Sequence, residues 1–241
     1  MKHSLHLFIT MLMTLFSTTS LFAYDFEVDG IYYKILSKEE STCAVTYKYL
    51  DGSTDKSLYS GDMKIPSSVE YEGVSYRVTY IGSQAFYKCK NLTSLELPES
   101  VNEIGTEAFM GCKDLVSINI PDGVSKLENQ VFRGCESLMS INIPSSVKSI
   151  GSFAFRECHS LTSIDIPSSV TSIGSYAFYE CDGLISINIP TSVQNIGAGA
   201  FRGCSNVTSI EIPSGVSSIE DAVFSRCSSL TSLNLPSGVT I

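Results

Sequence analysis

The chain has 241 residues, 43% of them apolar, and carries 25 acidic against 16 basic residues for a formal charge of −9. That apolar share is enough to bury a core and sets the chain apart from disordered sequences. The acidic balance, with no run of Lys or Arg, excludes the electrostatic footprint of a nucleic-acid or anionic-lipid binder, so neither partner is expected.

Residues 1–23 hold Lys2, an apolar stretch from Leu5 to Phe16, and then small and polar residues up to Ala23. This is the pattern of a secretory signal peptide, with cleavage placed after Ala23 although Leu21 is large for the −3 position. The stretch is short for a bilayer and is interrupted by Thr10 and Thr14, so no membrane insertion is expected. No cysteine lies at the cleavage point, which argues against lipid attachment. The mature chain then begins at Tyr24 and is expected to be secreted or held at the cell surface. Residues 24–64 read as a β-meander: Asp29-Gly30 marks a turn between two strand-like runs, and Cys43–Tyr49 offers a third strand. Its expected role is to cap the core of the array that follows.

Residues 65–241 form that array. The first unit, 65–88, is irregular: Ile65-Pro66-Ser67-Ser68-Val69 begins normally, a hairpin around Glu72-Gly73 intervenes, and Ile81-Gly82 restores the register. From there seven of the eight cysteines, Cys89, Cys112, Cys135, Cys158, Cys181, Cys204 and Cys227, recur every 23 residues. Such a fixed period is the mark of a stacked-repeat architecture. Each unit reads C-x-x-L-x-S-I-x-I-P-x-x-V-x-x-I-G-x-x-A-F-x-x, and all eight prolines share one position in it. Leu95 and Leu97 point one way and Ser94 and Glu96 the other, which predicts one strand per repeat, ended at a corner by proline. Val101 and Ile104 give a second inward pair. Gly105, Gly151, Gly174 and Gly197 are then expected to turn the chain at positive φ. Ser83, Thr106, Asn129, Ser152, Ser175 and Asp221 follow as N-cap types, with Ala198 as the exception. The A-F-x-x-C stretch after them reads as one helical turn.

One unit cannot bury its apolar face, but stacking joins these faces into a continuous core with Phe86, Phe109, Phe132, Phe155, Phe178, Phe201 and Phe224 as a spine. The expected fold is an α/β solenoid, strand-dominated and right-handed, with a parallel sheet on one side. The last unit stops in mid-repeat after Pro236-Ser237-Gly238-Val239-Thr240-Ile241, leaving an open strand edge. That edge is expected to be either the end of a truncated product or a place of end-to-end contact with a partner.

The cysteines read as a ladder of buried free thiols: their Cβ bonds point in parallel into the core, and seven is odd. A linear thiol ladder without histidine is a poor zinc site, so no metal and no cofactor are expected. In the mature chain histidine is limited to His159, beside an inward Cys158, which leaves neither a Cys-His pair nor a serine triad with a base. The chain is not expected to be an enzyme.

The informative surface is the outward side of the strands. The candidate binding residues are Ser94, Glu96, Asn119, Asn142, Ser163, Asp165, Asn188, Glu211 and Asn234. Glu96, Asp165 and Glu211 interrupt the amide row and could set register with a basic ligand. The same rows also suit a merely solubilising face. Thr93, Val116, Met139, Thr162, Ile185, Thr208 and Thr231 vary one position before the serines, and Arg133, Arg156, Tyr179 and Arg202 align at the turn tips, with Arg226 one place off. Arginine and tyrosine are favoured in binding hot spots. Asn91-Leu92-Thr93 and Asn206-Val207-Thr208 fit the glycosylation sequon, which matters only in a eukaryotic source.

The phrases Ile150-Gly151-Ser152-Phe153-Ala154-Phe155 and Leu161-Thr162-Ser163-Ile164-Asp165-Ile166-Pro167 resemble the BspA-like class of leucine-rich repeats over about residues 65–241. That resemblance implies a surface protein with an adhesive role toward extracellular matrix or plasma proteins, host cells or other microbes. Two functions stay open: a protein-binding module acting through the repeat surface, and a structural spacer or display scaffold without its own ligand.

Overall fold

A computed structural model describes residues 23–48 and 58–240. The expected signal peptide, apart from Ala23, lies outside the described residues. Strands β1 (Phe26–Val28) and β2 (Ile31–Ser37) pair antiparallel through the Asp29-Gly30 turn, both of whose residues have positive φ, 50° and 77°. A two-residue turn of this hand matches the twist of the strands it joins. β2 also pairs antiparallel with β3 (Thr42–Thr46). After β4 (Gly61–Lys64), a second hairpin joins β5 (Ser68–Tyr71) to β6 (Val74–Ile81) through Glu72-Gly73, again at positive φ.

The regular coils carry two strand ladders, not the single one expected. The first runs β4, β7 (Leu92–Glu96), β9 (Ser117–Ile118), continues through single bridges at Asn142, Asp165 and Asn188, and resumes as β14 (Ser209–Glu211) and β15 (Ser232–Asn234). The second starts in the N-terminal hairpins, where β3 pairs in parallel with β6 and β6 with β8 (Glu103–Ile104). It continues through β10 (Lys126–Leu127), β11 (Ser149–Ile150), β12 (Ser172–Ile173) and β13 (Asn195–Ile196). The residue pairs of these short strands, as in Glu103–Ile104, Lys126–Leu127 and Asn195–Ile196, alternate outward and inward as strands do, so this side is a ladder too.

The glycines at the end of this ladder do not have positive φ. Their role is close approach. A Cβ on Gly174 would stand 2.5 Å from the backbone nitrogen of Ser152 in the preceding coil, and one on Gly197 would stand 2.5 Å from that of Ser175. Glutamate replaces glycine at Glu128 and Glu220, and the ladder is interrupted at those two coils, between β8 and β10 and after β13.

The third side was read as a helical turn, and among the described residues there is no helix. Two positions per coil lie in the left-handed region, one series running Gln84, Glu107, Gln130, Phe153, Tyr176, Gly199 and Ala222, the other lying four residues later. A left-handed residue cannot propagate a right-handed helix. Backbone bonds therefore run both within the coil, as from Cys112 N to Phe109 O (3.1 Å), and to the next coil, as from Phe109 N to Val131 O (2.9 Å). The residues read as N-caps serve neighbouring coils instead: Asn129 Oδ1 accepts from the amide of Ser152, 2.8 Å away.

The core is one apolar column. Phenylalanine rings stack from Phe86 to Phe201 at 5.3–5.6 Å, with Phe224 a further 6.2 Å on and only partly buried. Tyr59 prolongs the stack towards the N-terminal hairpins, 4.8 Å from Phe86.

Candidate functional site

The outer face of the first ladder is built three side chains to a coil. In the run L-x-S-I-x-I the leucine and both isoleucines point inward, leaving the residue before serine, the serine itself and the residue two further on to face outward. At the N-terminal end the first two of these converge: Thr93 Oγ1 and Ser94 Oγ both donate to Asp62 Oδ1, at 2.7 and 2.6 Å. The row headed by Thr93 therefore belongs to the same face as the serines. These two hydroxyls hold the Asp62 carboxyl below the usual carboxylate range.

The predicted residues divide into two groups. Ser94 is committed to Asp62, and Glu96 accepts from Lys64 Nζ at 2.5 Å. Glu96 is therefore already neutralised and does not stand as a free carboxylate for register. Asn119 brackets the backbone of Leu97, accepting from its amide at 2.7 Å and donating to its carbonyl at 2.9 Å. The remaining six, Asn142, Ser163, Asp165, Asn188, Glu211 and Asn234, are exposed. Neither Asp165 nor Glu211 is ion-paired among the described residues. The N-terminal third of the face sinks into an open depression of 620 Å³ lined by Lys64, Ser94, Glu96, Ser117, Asn119 and Asn142.

Asp62 and Lys64 were missed because they precede the first regular unit, yet Met63-Lys64-Ile65-Pro66 copies the spacing of Leu95-Glu96-Leu97-Pro98 and could have revealed them. The row before the serines adds apolar surface, with Val116, Met139 and Ile185 exposed by 40%, 57% and 60%. Serines after proline have a structural use that sequence reasoning also missed: the hydroxyls of Ser146, Ser169 and Ser192 donate to the carbonyls of Val124, Val147 and Val170 one coil back, at 2.6–2.7 Å.

On the turn side, the Arg156 guanidinium lies 4.8 Å from the Tyr179 ring centre and bonds Glu157 at 2.9 Å, while Arg202 lies 5.7 Å from the same ring. Arg133 bonds Gln130, whose amide joins Gln84 in bracketing Glu107. Arg156 and Arg202 thus share the ring of a neighbouring coil, while the hydrogen bonds of Arg133 and Arg156 stay within their own coils.

The cysteines are thiols, buried except for the partly exposed Cys227. From Cys112 onward each donates to the carbonyl oxygen of a phenylalanine one coil back, at 2.9–3.3 Å. Burial pushes the thiols of Cys112, Cys135, Cys158 and Cys181 well above the usual range, so they are poor nucleophiles. His159 turns away from Cys158 and pairs with Asp182 of the next coil through Nδ1, 2.8 Å from Oδ1. Among the described residues no group of three His, Cys, Asp or Glu could hold a metal ion, and no helix is long and apolar enough to cross a membrane.

A leucine-rich repeat protein of Bacteroides ovatus is 36% identical in sequence and superposes with a TM-score of 0.81, over 90% of this chain and 54% of the other. The chain thus spans about half the length of that protein. The T. pallidum leucine-rich repeat protein is 29% identical, with a TM-score of 0.56 over 90% of this chain and 85% of its own. The pneumococcal vaccine antigen PcpA shares the fold at 19% identity, with a TM-score of 0.53 over 89% of this chain and 70% of its own. A search among curated proteins finds no match. The BspA type leucine rich repeat region matches in six copies over residues 67–158 and 125–241, and the chain belongs to that family.

Proposed function

We propose that this protein is a secreted or cell-surface module that binds an extracellular protein on the outer face of the first ladder. The observation that carries the reading is the asymmetry of that face. From the coil of Val116 onward its outward positions hold hydroxyls, amides, two carboxylates and exposed aliphatic side chains, and no lysine or arginine. Four of the five arginines lie instead at the turn side. A long, rigid, chemically one-sided face is how repeat proteins present an extended binding surface. A single coil offers too little, since a stable protein interface takes roughly 800 Å² per partner, so several coils act together.

The test is saturable binding of the purified protein to a panel of soluble extracellular matrix and plasma proteins, repeated with Ser163→Arg/Asn188→Arg, which puts two long cations in the middle of the face. Binding that saturates and is lost in the double variant supports the reading. No saturable binding anywhere in the panel would leave the spacer.

A further inference from the structure

We infer that the row Val116, Met139 and Ile185 is the energetic centre of that face, and that the partner segment it fits is an amphipathic, cationic α-helix lying along the solenoid axis. The inference rests on the docking role proposed above and names its contact residues and the partner's chemistry.

Exposure is the first observation. Ile185 and Met139 are 60% and 57% exposed, whereas inward isoleucines of the same ladder, such as Ile164 and Ile187, are almost fully buried. The fold does not require apolar residues at this position, because threonine fills it at Thr93, Thr162, Thr208 and Thr231. Where threonine is present its hydroxyl can be put to use, as in Thr93 to Asp62 (2.7 Å) or Thr231 to the Thr208 carbonyl (3.1 Å). Valine, methionine and isoleucine give up that bond for exposed apolar area, the kind of surface that marks an interaction site.

Spacing is the second. From Met139 to Ile185 the backbone of the row is itself hydrogen-bonded from coil to coil, Thr162 N to Met139 O at 3.3 Å and Ile185 N to Thr162 O at 3.2 Å, so its side chains there stand at the coil period. Hydrogen-bonded strands lie about 4.8 Å apart, and the core rings Phe155 and Phe178, one coil apart, are 5.4 Å apart. An α-helix rises about 5.4 Å per turn, so a helix along the axis keeps close to one side chain per coil, and the three steps from Val116 to Ile185 take about ten to eleven helical residues. Same-side residues of an extended strand recur at roughly 6.6 Å and drift out of step.

Charge is the third. On one side of the row stand Asp165, in the coil between Met139 and Ile185, and Glu211, one coil past Ile185, both without ion-pair partners among the described residues. On the other side Lys113, Glu136, His159 and Asp182 alternate and pair with one another, so that border carries no acidic excess. An apolar stripe with an acidic border on the strand-face side matches a helix whose apolar face is edged there by lysine or arginine, the groove mode of helix recognition.

The probe is an 18-residue peptide of leucine and lysine with helical periodicity. Its controls are the same pattern with glutamate for lysine and with serine for leucine. The protein carries V116T/M139T/I185T, which installs the residue already used at this position in four coils and leaves the net charge unchanged. The expected result is saturable binding of the leucine-lysine peptide to the wild type, about tenfold or more weaker in the triple variant as for hot-spot residues, with an unchanged Tm. Equal binding to wild type and triple variant, equal binding of either control peptide, or no saturable binding overturns the inference. If the triple variant keeps the peptide while S163R/N188R loses it, the docking face stands and this row falls; if both variants keep it, both fall.

Discussion

The thiol of Cys181 donates to the carbonyl oxygen of Phe155, 2.9 Å away and one coil back, and the same bond recurs from Cys112 to Cys227. Each thiol is thereby a small core residue that also satisfies a backbone acceptor. Bridging any two of them would break those bonds. Titration of the unfolded, unreduced protein with a thiol reagent should therefore find close to eight thiols, the number in the sequence. A count near two would show that the ladder is bridged.

Those thiols make stability depend on alkaline pH. Burial raises the pKa of the stacked thiols, and that of Cys43 to about 12, whereas an unfolded thiol ionises near pH 8.5. A group with a raised folded pKa contributes stability that is complete below the unfolded pKa and is lost as pH rises toward the folded one. Between about pH 8.5 and 11 each buried thiol should remove roughly 1.4 kcal/mol per pH unit. Denaturant melts at pH 7, 9 and 10.5 should show this fall, made shallower in Cys158→Ala. A flat profile over that range would place the thiols in contact with water.

Phe155 and Arg156 are neighbours in sequence with opposite fates. Phe155 is fully buried and stacked on both sides at 5.4 and 5.5 Å, so Phe155→Ala should cost about 3–5 kcal/mol. Arg156 lies over Tyr179 and beside Glu157, and Arg156→Ala should cost about 0.5–1 kcal/mol, the value of an exposed cation–π contact. Equilibrium unfolding in urea measures both, and equal losses would contradict the placement of the two side chains.

Gly174 tests the close approach of the coils. Its φ is not positive, so alanine is conformationally permitted, yet the new Cβ would stand 2.5 Å from Ser152 N. Gly174→Ala should cost roughly 1–3 kcal/mol as overpacking against backbone that can barely give. An unchanged melt would mean that the coils are spaced more widely there.

The repeat length, the inward residues and the phenylalanine stack were legible because they depend on side-chain periodicity, which the sequence displays directly. The second ladder was less so: Glu103–Ile104 is a strand of two residues, too short for its alternation to be read. Gln84, Phe153 and Tyr176 adopt left-handed φ that nothing in their chemistry announces, because cross-coil bonds impose it, and so the turn side looked helical. At the candidate face the outward rows were evident. That Glu96 is neutralised by Lys64 was not, since the two are 32 residues apart and meet only across β4 and β7.

The most direct test of the docking face compares two charge variants by surface plasmon resonance against whichever extracellular protein binds saturably, in low and high salt. One is Asp165→Asn/Glu211→Gln, on the strand face; the other is Arg133→Gln/Arg156→Gln/Arg202→Gln, at the turns. Rim charges act through screened attraction, so the carboxylate variant should bind more weakly at low salt, with the difference fading at high salt, while the arginine variant binds as the wild type does. Loss of binding in the arginine variant with full retention in the carboxylate variant would move the site to the opposite side of the solenoid and contradict the account.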